Sequence, residues 1–180
     1  MKKRYLLTAG GTDRKGIVCR LSGILKKYNF NIEDSSMIML RGTFSVIMLL
    51  SSAKSPGKQF EKDVGKFALK NKMTVNISPV SEKYMKEYRP KGRVCVISIS
   101  GADKPGIVKV MTEILYKKGA NIIDLETKSS EKVKPHAYYM FLEADVPKKV
   151  KVKTLEKALK TAGKKIGVHV SINRVDNSVL

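Results

Sequence analysis

The chain repeats one pattern of apolar and polar positions in its two halves. In each half a strand-like segment, "RYLLTAG" or "RVCVISIS", precedes a segment whose apolar residues recur at helical spacing. The apolar positions of these two segments are Ile17, Val18, Leu21, Ile24 and Leu25 in the first half and Ile107, Val108, Met111, Ile114 and Leu115 in the second. The pattern therefore predicts a strand followed by an amphipathic helix of about three turns, twice.

Each predicted helix is followed by a hairpin, a second helix and a closing strand. The hairpin strands are "FNIEDSSMIML" with "FSVIMLL" and "ANIIDLETKS" with "HAYYMFLE"; the connections are "RGT" at 41–43 and the longer 130–135. In the closing strands, apolar Met73, Val75 and Ile77 alternate with polar residues, as at 168–173. This order predicts an α+β fold of two ferredoxin-like (βαββαβ) units, each an antiparallel sheet with both helices on one face.

The two halves are copies of one sequence. Aligning Gly11–Asp34 with Gly101–Asp124 gives 11 identities in 24 positions, where composition alone supplies about one or two. The 180 residues are enough for two small domains. The polar segment "SEKYMKEYRPKG" separates them, so we predict domains at 1–80 and 93–180 with a linker at 81–92.

A glycine-punctuated loop opens the first helix of each copy, "GTDRKGIV" and "GADKPGIV". A helix start exposes unpaired N–H groups and the positive end of a dipole, which attracts an anion. The loop lacks the Gly-Lys-Ser/Thr of a phosphate loop and the second glycine of a dinucleotide fingerprint. Asp13 and Asp103 disfavour phosphate and favour an ammonium group, so the loop suits a zwitterion such as an α-amino acid.

Two polar residues recur where the next strand begins. Asn31 and Asn121, followed by Ile32 and Ile122, can supply an amide side chain to the same ligand. An alternative interpretation stays open: the two aspartates are good helix caps, and the two asparagines are ordinary turn formers. Recurrence in both copies favours a shared role.

The segments "GTDRKGIVCRLSGILKKYNFNIED" and "GADKPGIVKVMTEILYKKGANIID" resemble the signature of the ACT-domain family. The likeness covers about 4–80 and 93–175 and is greatest to two-ACT regulators of the glycine-cleavage repressor type. The resemblance implies tandem ACT domains that bind a small amino acid where units pair, between the loop of one copy and the second strand of the other. The implied ligand-binding residues are Gly11, Thr12, Asp13, Gly16, Ile17, Asn31 and Ile32, with Gly101, Ala102, Asp103, Gly106, Ile107, Asn121 and Ile122.

The same resemblance implies a function. We expect a non-enzymatic regulatory protein that senses a glycine- or serine-like amino acid and acts through a protein partner in amino-acid metabolism or transcription. Whether units pair within one chain or across a homodimer stays open. The copies differ at Lys15 and Pro105, so one site is expected to be weaker than the other.

The charge of the chain suggests a rival function. Lys and Arg number 36 against 16 Asp and Glu, a net charge of +20 that attracts polyanions without specificity. The third strand "RGTFSVIM" faintly resembles an RNA-recognition signature, but its stacking positions hold Thr43, Ser45 and Met48. The second copy offers Tyr138, Tyr139 and Phe141 without the Arg-Gly lead. Nucleic-acid binding is the alternative function, expected to be weak or non-specific.

Other function classes find little support in the sequence. His136 and His169 have no counterparts in the first copy, and the adjacent Glu33 and Asp34 should point to opposite faces of a strand, so we expect no enzyme. Cys19 and Cys95 match no metal or redox spacing and are expected to be buried free thiols. We expect no metal, no cofactor and no membrane contact, and a cytoplasmic location.

Overall fold

The computed structural model describes residues 2–81, 83, 90–130 and 136–175. Its contacts divide the chain into two compact units, Met1–Tyr88 and Arg89–Leu180. Most of the predicted linker and most of the second hairpin connection, 131–135, lie outside the described residues. The role of 81–92 as a linker therefore stays a prediction.

The first unit contains four strands and two helices in the predicted order. They are β1 (Lys3–Thr12), α1 (Ile17–Lys27), β2 (Asn31–Leu40), β3 (Thr43–Ser52), α2 (Lys58–Asn71) and β4 (Met73–Val80). The antiparallel sheet has the order β2-β3-β1-β4. Positive φ angles at Arg41 (46°) and Gly42 (79°) form the tight turn between β2 and β3.

The second unit repeats this arrangement. Its elements are β5 (Arg93–Ala102), α3 (Ile107–Lys117), β6 (Asn121–Ser130), β7 (Ala137–Val146), α4 (Val152–Ile166) and β8 (Val168–Arg174). The antiparallel sheet order is β6-β7-β5-β8. The predicted α+β fold of two ferredoxin-like units is confirmed.

Each unit buries one sheet face against its two helices, and the composition of the two cores differs. The first core is rich in aromatic rings, with centroids 5.6 Å apart for Tyr5 and Phe30 and 4.9 Å apart for Phe30 and Phe60. Tyr138 is the single aromatic residue among the described buried residues of the second core, which is otherwise aliphatic. The opposite face of each sheet is here called its outer face.

Three details of the first helix differ from the prediction. Val18 is 42% exposed, so the buried stripe of α1 is narrower than its apolar pattern. Cys19 is exposed as well, so the predicted burial of both thiols is wrong; only Cys95 is buried. The lack of a side chain at Gly23 suggests close packing of α1 at this position, but a Cβ added there meets open space.

The edge strands β2 and β6 each contain a β-bulge at the same position. The register of β2 on β3 shifts between Ile32 and Asp34, and that of β6 on β7 shifts between Ile122 and Asp124. Because of the bulge, Asp34 lies opposite outer-face Leu49, while Glu33 reaches Arg4 at 2.8 Å. The prediction that Glu33 and Asp34 point to opposite faces is therefore wrong. The ion pair with Arg4 lowers the pKa of Glu33.

Among the helices of the described residues, none combines the length and the apolar character that crossing a bilayer requires. The longest is α4, with 15 residues.

Candidate functional site

The repeated loops connect β1 to α1 and β5 to α3 through a left-handed glycine. Gly16 has φ 85° and Gly106 has φ 96°, and each stands immediately before the first helical residue. Neither helix has a side-chain cap, so the alternative interpretation of Asp13 and Asp103 as capping residues is wrong. Both aspartates stand three residues before the cap position, with carboxylates that are not used to close the helix.

The first glycine of each loop has a packing explanation. A Cβ on Gly11 would lie 2.8 Å from the carbonyl oxygen of Lys72, and one on Gly101 would lie 2.9 Å from that of Gly167. The turn into the fourth strand therefore approaches the loop too closely for any side chain. These two glycines are explained without a ligand, in contrast to the sequence-based expectation that they admit one.

Ile17 and Ile107 anchor the loops to the cores. Each is 2% exposed, so its side chain packs inside its unit and only its backbone can meet a ligand. The first helical hydrogen bonds run from Arg20 N–H to Gly16 C=O and from Val110 N–H to Gly106 C=O, both 3.0 Å. Among the amides that precede them, that of Ile17 donates to the carbonyl oxygen of Arg14 at 3.4 Å, and the others point out of the first turn of each helix.

The second loop is bordered by polar side chains that the sequence did not single out as ligand-binding. The hydroxyl of Ser129 donates a hydrogen bond to Oδ2 of Asp103 at 2.6 Å. Tyr138 lies opposite both Gly101 and Ser129 in the sheet, is 7% exposed, and its hydroxyl has no partner among the described residues. Burial raises the pKa of Tyr138, and the charge of Asp103 raises it further.

The first loop has a different chemistry. Phe44 and Met39 stand at the positions that Tyr138 and Ser129 occupy in the second unit, so the sheet beneath this loop is apolar. The guanidinium of Arg20 donates to the carbonyl oxygen of Lys15 at 3.0 Å and brings a positive charge to the loop. The two loops share a backbone path but not a set of side chains.

The asparagines lie far from the loop of their own unit. Asn31 pairs with Ser51, whereas Gly11 pairs with Phe44, seven residues away along β3. At about 3.3 Å per residue, this separation is roughly 23 Å. The same offset separates Asn121 from Gly101. One unit therefore does not bring its own loop and asparagine together.

Asn121 and Ile122 instead line an open cleft of about 440 Å³ beside α3. The other lining residues are Lys109, Thr112, Glu113, Tyr116 and Ala120. Hydrogen bonds from Lys109 and Lys117 lower the pKa of Glu113 to about 2. The cleft thus presents an amide and an ion-paired carboxylate.

The outer faces bear on the nucleic-acid alternative. Thr43 and Ser45 point outward, but Met48 is 3% exposed in the core, so the first sheet offers no stacking ring at these three positions. In the second unit Tyr138 is buried, while Tyr139 and Phe141 point outward.

In the described part of the chain, no group of three or more metal-binding side chains occurs.

Comparison with known proteins identifies the family. The model of the ACT domain matches residues 3–78 and 93–173. The chain belongs to the ACT-domain family. Its two ACT domains coincide with the two ferredoxin-like units, as the resemblance of the repeated segments predicted.

Individual relatives share different parts of the chain. The glycine cleavage system transcriptional repressor of Escherichia coli K12 is 27% identical over 180 residues, or 98% of this chain and 93% of that protein. A UPF0237 protein of Methanosarcina mazei is 40% identical over 58 residues, or 32% of this chain; the match spans only 60% of that relative's length. A crystal structure of an unknown protein from Galdieria sulphuraria superposes with a TM-score of 0.81 at 26% identity, covering 98% of this chain and all of that one.

Proposed function

We propose that this ACT-domain protein is a non-enzymatic regulator that senses a small, glycine- or serine-like amino acid and acts through a protein partner. The tandem ACT architecture and the whole-chain similarity to a glycine cleavage system transcriptional repressor support a regulatory role. By analogy with that relative, the regulated process is amino-acid metabolism or its transcription.

The observation that carries the proposal is the repeated loop, in which exposed helix-opening amides lie next to a carboxylate. The amides of α1 and α3 suit the carboxylate of an amino acid, and Asp13 and Asp103 suit its ammonium group. No step of covalent chemistry is required.

The second loop is the better equipped of the two. The bond from Ser129 holds the carboxylate of Asp103, and the buried hydroxyl of Tyr138 lacks a partner. An unsatisfied buried hydroxyl costs about 1–3 kcal/mol, which a polar ligand at this loop would recover. We infer that this loop binds the amino acid more tightly than the first loop, to which Arg20 of α1 donates.

The proposed site takes its second wall from a different ACT unit, in the same chain or in a second copy. This requirement follows from the roughly 23 Å between the loop and the asparagine of one unit. Asn31 or Asn121 then supplies an amide, and Ile32 or Ile122 an apolar contact. A ligand held in this way regulates only if it binds one arrangement of the units more tightly than another.

Isothermal titration calorimetry of the whole chain against the standard amino acids tests this function. We expect one or a few small amino acids to bind and the double substitution N31A/N121A to abolish the heat. Asn76→Ala is the matched control, because Asn76 is an exposed strand asparagine remote from the proposed walls. Undiminished binding by N31A/N121A contradicts the site, and the absence of binding by any amino acid contradicts the function.

A further inference from the structure

The outer face of the second sheet carries an unusual set of side chains in this basic protein. It consists of alternate residues on four strands, which point away from α3 and α4. On the central strands and β6 these residues include Ser98 and Ser100, Asp124, Glu126 and Lys128, and Tyr139, Phe141 and Glu143. We call this set the second outer face.

Two aromatic rings stand at the centre of this face. Tyr139 and Phe141 are two residues apart on β7 and are 45% and 49% exposed. The corresponding positions of the first unit hold Ser45 and Ile47, because Thr43 and Ala137 both pair with the last residue of the first strand. The first unit buries its aromatic residues in the core, whereas the second exposes two.

Three carboxylates and one lysine border the rings, with Lys128 directly opposite Tyr139. Glu126 lies directly opposite Phe141, and Asp124 lies directly opposite Glu143. Like charges opposite one another in a sheet are destabilising, so this pair carries a cost in the free protein. Among the described residues, Asp124 and Glu143 form no ion pair, and Glu126 reaches only Lys128, at 3.7 Å.

The first unit keeps an aspartate, Asp34, at the position of Asp124 but lacks the other two carboxylates. Ser36 stands where the second unit has Glu126, and Leu49 where it has Glu143. The two copies have thus diverged on their outer faces. An acidic, aromatic face on a chain of net charge +20 is not a consequence of overall composition.

We propose that the second outer face docks a cationic segment of a partner protein. The faces of aromatic rings attract Arg and Lys side chains, and flanking carboxylates pair with the same cations. Residues i and i+2 of a strand lie about 7 Å apart, so an extended segment with basic residues at alternate positions matches Tyr139 and Phe141. The proposal goes beyond amino-acid sensing and uses none of the loop residues.

Two other occupants fit the charges less well. Glu126 and Glu143 would repel the phosphates of a nucleic acid stacked on the rings. A second copy of the chain carries the same +20 charge and is repelled as a whole. A segment with a few basic residues on an otherwise neutral partner is attracted by the carboxylates and rings of this face and is repelled least by the net charge of the chain.

Fluorescence anisotropy with a defined peptide tests the proposal. The probe is a labelled, otherwise neutral peptide of Gly, Ser and Leu with two arginines at alternate positions, added to the whole chain. We expect saturable binding that each of two variants weakens about tenfold or more. Y139S/F141I removes the aromatic rings that attract the arginines, and E126S/E143L removes two carboxylates that pair with them. These variants install the residues of the first unit, and circular dichroism checks that they are folded.

The control variant I47S/L49S alters the outer face of the first sheet and should leave peptide binding unchanged. The proposal is overturned if the unaltered chain does not bind the peptide, or if both second-face variants bind it as tightly as the unaltered chain does. Two further results also overturn it. One is single-stranded RNA binding that only Y139S/F141I abolishes, and the other is sedimentation showing self-association that the same variant removes.

Discussion

The hydroxyl of Ser129 donates a 2.6 Å hydrogen bond to Oδ2 of Asp103 and so ties the end of β6 to the loop that opens α3. This bond fixes the direction of a carboxylate that otherwise stands on an exposed loop. In the first unit the position of Ser129 holds Met39, so Asp13 has no equivalent support. The difference bears on which loop holds an amino acid.

Asp103→Asn should weaken amino-acid binding about tenfold or more, because an amide replaces the charge that attracts an ammonium group. Asp13→Asn is the matched substitution and should change the affinity by less. Calorimetric titration with the amino acid that binds the unaltered chain measures both. Equal losses in the two variants would show that the loops contribute alike.

Tyr138→Phe should stabilise the second unit while weakening ligand binding. The substitution removes a buried hydroxyl that lacks a partner and installs the residue found at Phe44 of the first unit. We expect a gain of about 1 kcal/mol in the free energy of unfolding. Chemical denaturation measures the gain, and calorimetry measures the affinity. A loss of stability would mean that the hydroxyl is satisfied in the free protein.

Gly101→Ala should destabilise the second unit, because the new Cβ would lie 2.9 Å from the carbonyl oxygen of Gly167. Gly23→Ala is the matched control inside α1, where a Cβ meets open space; it should stabilise by up to about 1 kcal/mol through helix propensity. Urea denaturation of both variants measures the contrast. If both substitutions stabilise, the close approach of β8 to the loop is wrong.

Asp63 should make the stability of the first unit depend on acid. It accepts hydrogen bonds from Lys27 (2.7 Å), Tyr28 (2.8 Å) and Gln59 (3.0 Å), which lower its pKa from 3.8 to about 2. The folded pKa is below the unfolded one, so the contribution is fully present above pH 4 and is lost as the pH falls towards 2.

Asp63→Asn should therefore reduce the loss of stability between pH 4 and 2 relative to the unaltered chain. Thermal denaturation across this range measures the effect. Asp34→Asn is the control, because within the described residues the carboxylate of Asp34 accepts a hydrogen bond only from the backbone N–H of Ser35. If stability depends on pH in the same way in Asp63→Asn as in the unaltered chain, the hydrogen bonds to Asp63 do not lower its pKa.

Much of the fold followed from periodicity. The spacing of Leu21 and Leu25 predicted the buried side of α1, and the alternation at Met73, Val75 and Ile77 predicted β4. Periodicity failed at Val18, because a short helix on a sheet buries a narrower stripe than its apolar residues allow. It failed again at Glu33, because a bulge has no signature in a simple alternation of two.

The candidate site was less predictable. The spacing of the loop glycines predicted the backbone path, but Gly11 is explained by its contact with Lys72, which lies 61 residues away in sequence. Alternation within the second copy alone does not show which of Tyr138 and Tyr139 faces the core. Because successive residues of a strand point to opposite faces, Tyr138 lies under the helices and Tyr139 lies on the outer face. Comparison of the copies at Phe44 was the available signal.

The bulge repeated in both outer strands has a consequence for assembly. A strand that paired with β2 or β6 would form regular backbone hydrogen bonds with 34–40 or 124–130. The regular hydrogen bonding would stop at the bulge, where the extra residue interrupts the strand. A bulge also bends and twists the strand that contains it, which opposes long, flat edge-to-edge pairing. The duplicated irregularity therefore permits a discrete neighbour at each edge while opposing indefinite growth.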